Sequence, residues 1–227
     1  MRQNRRRIIL SITKIYSFIG ISLVLASIAL FIIPLIPSVV YSLFPQTHDN
    51  EVRSLTQSVD EDIERYQETT GVDEISPPQV VNTDDRPDFD PSLPIVNTLI
   101  IPSIGVNTPI EEGIVPEEAL SLGPWRVNDF GTPDSNQIPI IIASHRWGGV
   151  GWDSQKRESA SFLQLPTLQV GDRIEIIWDQ RKYVYEIYDG EESTYISDYD
   201  ADLILYTCKV IWESPVRILR YANRVDQ

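Results

Sequence analysis

The sequence predicts an all-β domain, an antiparallel sandwich or barrel, carried behind one membrane-spanning helix and a disordered stalk. Three observations lead there. From Val96 onward, short runs rich in Ile, Val and Tyr recur between Gly, Pro, Asn and Asp, as in strands joined by tight turns. Residues 45–95 are acidic and Pro-rich, with too little apolar area to offset chain entropy. Between Lys14 and Asp49 no residue is formally charged over 34 positions. The chain therefore divides into a basic tail (1–14), an anchor (15–44), a stalk (45–95) and a globular domain (96–227).

Charge follows the same divisions. Residues 1–44 carry +5, residues 45–95 carry −10, and residues 96–227 carry −9. At a net −14 the protein lacks the basic surface from which phosphate-backbone affinity comes, so nucleic acid is excluded as a partner. The apolar run Ile15 to Phe44 exceeds the roughly 20 residues that cross a bilayer as a helix. Pro34 and Pro37 kink or end that helix, and Tyr41 sits where an interfacial aromatic anchors. Arg2, Arg5, Arg6, Arg7 and Lys14 precede the run, which places the N-terminus in the cytoplasm and the remainder outside. A cleaved signal peptide would have an apolar core of about 7–15 residues, roughly half this length. In the stalk, Pro77, Pro78, Pro87, Pro91 and Pro94 argue for an extended chain, with at most a short helix around 51–67. His48 reads as a solvated linker residue.

Within the domain the strand-like runs are 98–101, 138–143, 173–178, 182–188, 203–207 and 216–221. Asp179-Gln180 reads as a hairpin turn without the usual Gly. Short helices fit near 116–120 and 160–165. Its 132 residues suffice for one core.

The chain has one cysteine, Cys208, on the exported side, so no internal disulfide can form. A lone Cys after Leu203-Ile204-Leu205-Tyr206 is often just a small buried hydrophobe. Two other residues raise its interest. His145, the domain's one histidine, ends an apolar run where a strand meets a Gly-rich loop, and Arg217 opens the last strand. Cys, His and Arg at strand ends can act as nucleophile, proton carrier and oxyanion partner. A nearby cation lowers a thiol pKa, and an arginine keeps its charge throughout.

Leu205-Tyr206-Thr207-Cys208 resembles the Leu-x-Thr-Cys signature of the sortases, cysteine transpeptidases of bacterial cell surfaces. Ser144-His145-Arg146 is similar to their His motif, with Ser144 in place of the usual Gly. Arg217-Ile218-Leu219-Arg220-Tyr221-Ala222 is similar to the final strand that carries the family's Arg. Residues 101–106 with 109–113 resemble the opening strands, and 170–175 with 183–186 the mid-domain hairpin. Arg220 rivals Arg217. The motif spacing favours Arg217, and residues three apart on a strand face opposite sides. Arg220 is then expected to be a solvent-facing charge.

The resemblance implies a closed antiparallel β-barrel of about eight strands with short helices. It implies that Cys208 cleaves a Leu-Pro-x-Thr-Gly-like C-terminal sorting signal on surface proteins or pilins. The acyl group would then pass to an amine, from a peptidoglycan precursor or a pilin lysine. His145 would carry the proton and Arg217 the oxyanion or substrate backbone, with help from Thr207. It also implies a single-pass bacterial membrane protein with an extracellular catalytic domain and no cofactor. Trp147 and Trp212 could line an apolar groove for the signal, as could Trp152, though packing under loops accounts for such aromatics equally well. Glu111-Glu112 and Asp198, Asp200 and Asp202 read as solvated surface, so no metal is expected. Two rivals stay open: a membrane-anchored cysteine hydrolase, and an inactive anchored β-barrel scaffold.

Overall fold

A computed structural model describes residues 18–28, 43, 45–71, 86–135, 138–210 and 215–225. Residues 18–28 are helical and belong to a unit spanning Met1–Leu43, separate from the unit Phe44–Gln227. Among the described residues no helix is long and apolar enough to cross a membrane. The expected anchor at 15–44 lies largely outside them.

The second unit holds eight strands: β1 (Thr98–Ile101), β2 (Val106–Pro109), β3 (Trp125–Arg126), β4 (Ile140–Ala143), β5 (Arg173–Trp178), β6 (Arg181–Ser193), β7 (Leu203–Cys208) and β8 (Arg217–Arg224). They form one sheet in the order β2-β1-β5-β6-β8-β7-β4-β3. Its helices are α1 (Pro45–Thr70), α2 (Pro116–Leu122) and α3 (Ser154–Ala160). The strand runs of the sequence are found close to where they were expected. The second short helix instead starts upstream, at Ser154, because the Asp153 side chain caps it by accepting from the Lys156 N–H at 2.8 Å.

Three expectations are corrected. The sheet is not a closed barrel: end strands β2 and β3 do not pair, and a single bridge, Glu111 to Trp125, joins that margin. Nor is it wholly antiparallel, because β4 and β7 run parallel, in register from Ile140↔Leu203 to Ala143↔Tyr206. A parallel pair needs a long crossover, here supplied by everything between 144 and 202. Finally, the stalk is not disordered throughout. Pro45–Thr70 is a 26-residue helix, ended by Gly71 in the left-handed region (φ 71°) with its N–H on the Gln67 carbonyl at 2.8 Å.

The glycine-free hairpin between β5 and β6 is real. Asp179 and Gln180 have φ of 49° and 54°, the left-handed pair that a two-residue hairpin requires. Hydrogen bonds offset that cost: the Gln180 amide donates to the Pro91 and Leu93 carbonyls, and the Asp179 N–H donates to Asn97 Oδ1.

Period-two alternation sorts the strand residues onto two faces. One apolar cluster takes Leu99, Ile142, Ile174, Ile176, Leu203 and Leu205 with Phe162 and Leu165 from the segment after β4. The other takes Ile141, Ala143, Ile204, Tyr206, Cys208, Leu219 and Tyr221, completed by Val52, Leu55, Val59 and Tyr66 of α1. Leu55 is wholly buried, and such burial of a leucine is worth about 1.5–3 kcal/mol. This second contact sets α1 directly over the end of β7.

Candidate active site

Cys208 ends β7 and is paired in register with Arg217, the first residue of β8. Continuing the parallel register by two residues beyond Ala143↔Tyr206 sets His145 beside Cys208. Alternation puts all three on one face: His145 follows Ile141 and Ala143, Cys208 follows Ile204 and Tyr206, and Arg217 precedes Leu219 and Tyr221. The three residues chosen from the sequence therefore converge. All are buried, at 2% exposure for Cys208, 0% for His145 and 1% for Arg217.

Local bonds hold this arrangement. The His145 carbonyl accepts from the Phe162 N–H at 2.9 Å, and the imidazole meets the Trp152 ring edge-on at 6.2 Å. Trp152 is fixed in turn by its indole N–H on the Ser121 carbonyl at 2.7 Å. Ser144, where the family more often has Gly, is buried and donates its hydroxyl to the Ala160 carbonyl at 3.0 Å. The Thr207 hydroxyl donates to the Ser144 carbonyl at 2.7 Å, on the face of β7 opposite Cys208. Thr207 thus ties the cysteine strand to the histidine strand. Trp147 is half-buried under the Arg146 guanidinium, 4.9 Å from the ring centre, and Trp212 lies outside the described residues.

Arg220 is not the solvent charge expected. It points away from Cys208, half-buried, donating to the carbonyls of Leu168, Pro166 and Leu219 at 3.1, 2.7 and 2.8 Å. It clamps the segment after α3 to β8.

Two contributors escaped the sequence. Arg146 donates to the Lys209 carbonyl, and burial pulls its pKa down while Glu192 and Cys208 hold it up. It is a second cation within electrostatic reach of the thiol, the setting that favours a thiolate. The other contributor is α1. Ser54 Oγ lies 3.3 Å from Cys208 Sγ, and the Leu55 carbonyl accepts from the Tyr206 hydroxyl at 3.2 Å. The Asp62 carboxylate takes both terminal nitrogens of Arg217, at 2.6 and 3.1 Å, with Asp62 itself 2% exposed. Burial pulls the Arg217 guanidinium pKa down, but the hydrogen bonds and charge of Asp62 more than offset it and the net shift is upward. Spacing carried the missed signal, because Val52, Leu55, Val59 and Tyr66 keep a helical period broken only by Asp62.

The acidic groups are engaged as well. Asp198 accepts from the Tyr188 hydroxyl at 2.5 Å and the Asp200 N–H at 2.9 Å, Asp202 from the Arg224 N–H at 2.7 Å, and Glu112 pairs with Arg126 at 2.9 Å. Among the described residues no group of His, Cys, Asp and Glu is placed to hold a metal ion.

Solved structures to which the chain is similar include sortase C1 of Streptococcus agalactiae, at 21% identity over 58% of this chain and 67% of that one, with a TM-score of 0.46. Sortase C of Clostridium perfringens, solved with the C-terminal cell wall sorting motif, is 20% identical over 84% of this chain and 99% of that one, TM-score 0.48. Sortase A of Listeria monocytogenes is 16% identical over 58% of this chain and 88% of that one, TM-score 0.45. No curated protein matches the chain. The family model described as the Sortase domain matches residues 99–225, more than half of the sequence and every strand but the first residue of β1. The chain belongs to the sortase family of cysteine transpeptidases.

Proposed function

We propose that the protein cleaves a Leu-Pro-x-Thr-Gly-like sorting signal through a thioacyl intermediate on Cys208 and transfers the acyl group to an amine. The observation that supports this most is the pairing of Cys208 with Arg217 across β7 and β8, with His145 on the same face. The Cys208 thiolate attacks the carbonyl carbon of the signal's Thr, and the electron pair displaced onto oxygen faces Arg217. Collapse breaks the C–N bond, His145 gives its proton to the leaving Gly amine, and a thioester remains. An incoming amine attacks that thioester and loses a proton to His145. The amide forms as the thiolate departs, so the enzyme ends as it began.

Arg146 adds positive potential at the sulfur, and Thr207 positions the two strands rather than the substrate. Trp147 and Trp212 are the aromatics nearest in sequence to the site for holding the signal's apolar residues. The substrates are sorting-signal-bearing surface proteins or pilins, and the acceptor is a peptidoglycan precursor or a pilin lysine. Residues 15–44 serve as the single-pass anchor, with the N-terminus cytoplasmic and the catalytic domain outside. Substrate and acceptor both arrive at that membrane face. Incubating the full chain with a panel of Leu-Pro-x-Thr-Gly peptides, with and without amine, should yield a thioacyl adduct on Cys208 that resolves to amide. Cys208→Ala should lower turnover by at least ~10⁴-fold, the scale of nucleophile loss. Cleavage surviving in Cys208→Ala would refute the scheme, and adduct resolving only to acid would make the enzyme a hydrolase.

A further inference from the structure

Granting His145 the proton-carrying role just proposed, we infer that Arg220 is a positioning residue for it. Arg220 acts from the opposite face of the sheet, through residues 160–168, and Gly190 is the gap its side chain crosses to reach them.

His145 lies past the last residue of β4, where the strand ladder has ended. Its backbone is held from two sides. On the β7 side, the Thr207 hydroxyl donates to the Ser144 carbonyl and the Ser144 N–H donates to the Tyr206 carbonyl at 3.3 Å. On the other side, the Ser144 hydroxyl donates to the Ala160 carbonyl and the Phe162 N–H to the His145 carbonyl. Residues 160–162 are a splint along the histidine, and the imidazole is placed no better than they are.

The splint is not a strand of the sheet. It runs from α3 into a 3-10 turn, Leu165–Thr167, through the Leu165 N–H on the Phe162 carbonyl at 3.1 Å. Phe162, Leu165 and Leu168 bury into the apolar cluster opposite the site. Apolar burial is non-directional, so it sets the depth of the segment and tolerates sliding along the sheet. Arg220 supplies the direction. Its Nε and Nη2 donate to the Leu168 and Pro166 carbonyls together, as a planar fork can, while Nη1 donates to the Leu219 carbonyl of β8. The Pro166 carbonyl is open to this because the Gln169 N–H, which would continue the turn, donates to Asp172 Oδ2 at 2.8 Å instead.

The path of the side chain depends on Gly190, which is paired in register with Arg220 across β6 and β8. A Cβ at Gly190 would lie 2.7 Å from both Arg220 Cδ and Nη1, and 2.9 Å from the Leu219 carbonyl oxygen. A solvent-facing arginine needs no such gap. β8 therefore brings Arg217 to the thiol on one face and, three residues on, fixes the histidine from the other.

The test uses the full chain carrying carbon-13 at histidine Cε1, where two histidines, His48 and His145, give two signals. The His145 signal reads the surroundings of the imidazole without any peptide. Arg220→Ala should move or split it, and should lower kcat on a Leu-Pro-x-Thr-Gly peptide ~10²-fold with KM within about twofold, as when a reacting group shifts by about 1 Å. Arg220→Lys keeps the charge without the fork and should fall between wild type and alanine in both readings. Gly190→Ala, which leaves the arginine in the sequence, should resemble Arg220→Ala and carries the test alone should that variant fail to fold. Ile176→Ala weakens the same core without touching the clamp and should leave the signal in place. An unmoved His145 signal in Arg220→Ala and Gly190→Ala would overturn the inference. So would the same movement in Ile176→Ala, which reduces Arg220 to a stability residue, or a raised KM at unchanged kcat. A moved signal in a chain that cleaves no peptide would uphold the positioning while sinking the acyl-transfer assignment.

Discussion

The two faces of the sheet are finished in different ways. One is closed by the domain's own strands with Phe162, Leu165 and Leu168, and holds none of Cys208, His145 and Arg217. The other carries all three and is completed by a helix that is not part of the sheet. The contrast separates what keeps the fold from what covers the chemistry. A core sealed by its own strands cannot open without unfolding, whereas a face sealed by a neighbouring helix can.

Truncating one residue on each face gives the largest contrast. Ile176→Ala, on the self-closed face, should lower unfolding stability by about 2–5 kcal/mol in a denaturant titration. Its thiol labelling in native buffer should stay at the wild-type rate. Leu55→Ala, on the other face, should raise labelling while the unfolding midpoint of the sheet barely moves. A midpoint that falls as far as for Ile176→Ala would make the two faces one cooperative unit.

Two tyrosines sharpen the same contrast on a smaller scale. Tyr206 donates to the Leu55 carbonyl, so Tyr206→Phe should speed labelling about fivefold, the equivalent of one hydrogen bond near 1 kcal/mol. The Tyr185 hydroxyl, on the self-closed face, is buried without a hydrogen-bond partner among the described residues. Tyr185→Phe should therefore hold or slightly raise Tm.

The smallest effect is an alkaline one that spans both faces. Burial pushes the tyrosine pKa up at Tyr185 on one face and at Tyr199 and Tyr221 on the other, and the Glu191 hydrogen bond adds to it at Tyr221. Protons held more tightly in the folded than in the unfolded chain, whose tyrosines titrate near 10.0, stabilise fully below that pH. Stability should fall as pH rises above it. Thermal melts between pH 8 and 11 check this, with Tyr185→Phe expected to flatten the decline on its face (pH range set by the ordinary tyrosine value of about 10).

Most of the sheet was legible because its strands are β-branched runs between turn residues, and Asp179-Gln180 was recognisable as a hairpin even without glycine. Cys208, His145 and Arg217 were legible because each lies at the end of such a run. The two-residue β3 was not, since Trp125-Arg126 is too short to show alternation. Nor was the parallel β4–β7 pairing, which depends on topology rather than local pattern. The helix of 45–70 was legible only as a short stretch around 51–67, because acidic residues dominate the composition while the docked stripe is narrow and interrupted by Asp62. A carboxylate whose partner lies 155 residues away reads as a polar position until the fold brings Arg217 to it.

The lone thiol also faces a chemical hazard. It has no second cysteine with which to form a protective internal disulfide, and an exposed thiolate climbs from sulfenic to irreversible sulfinic and sulfonic acids. At 2% exposure, with Ser54 Oγ 3.3 Å from its sulfur, Cys208 is screened from a peroxide in solution. Burial then gives the sulfur the protection against oxidation that a disulfide would otherwise supply.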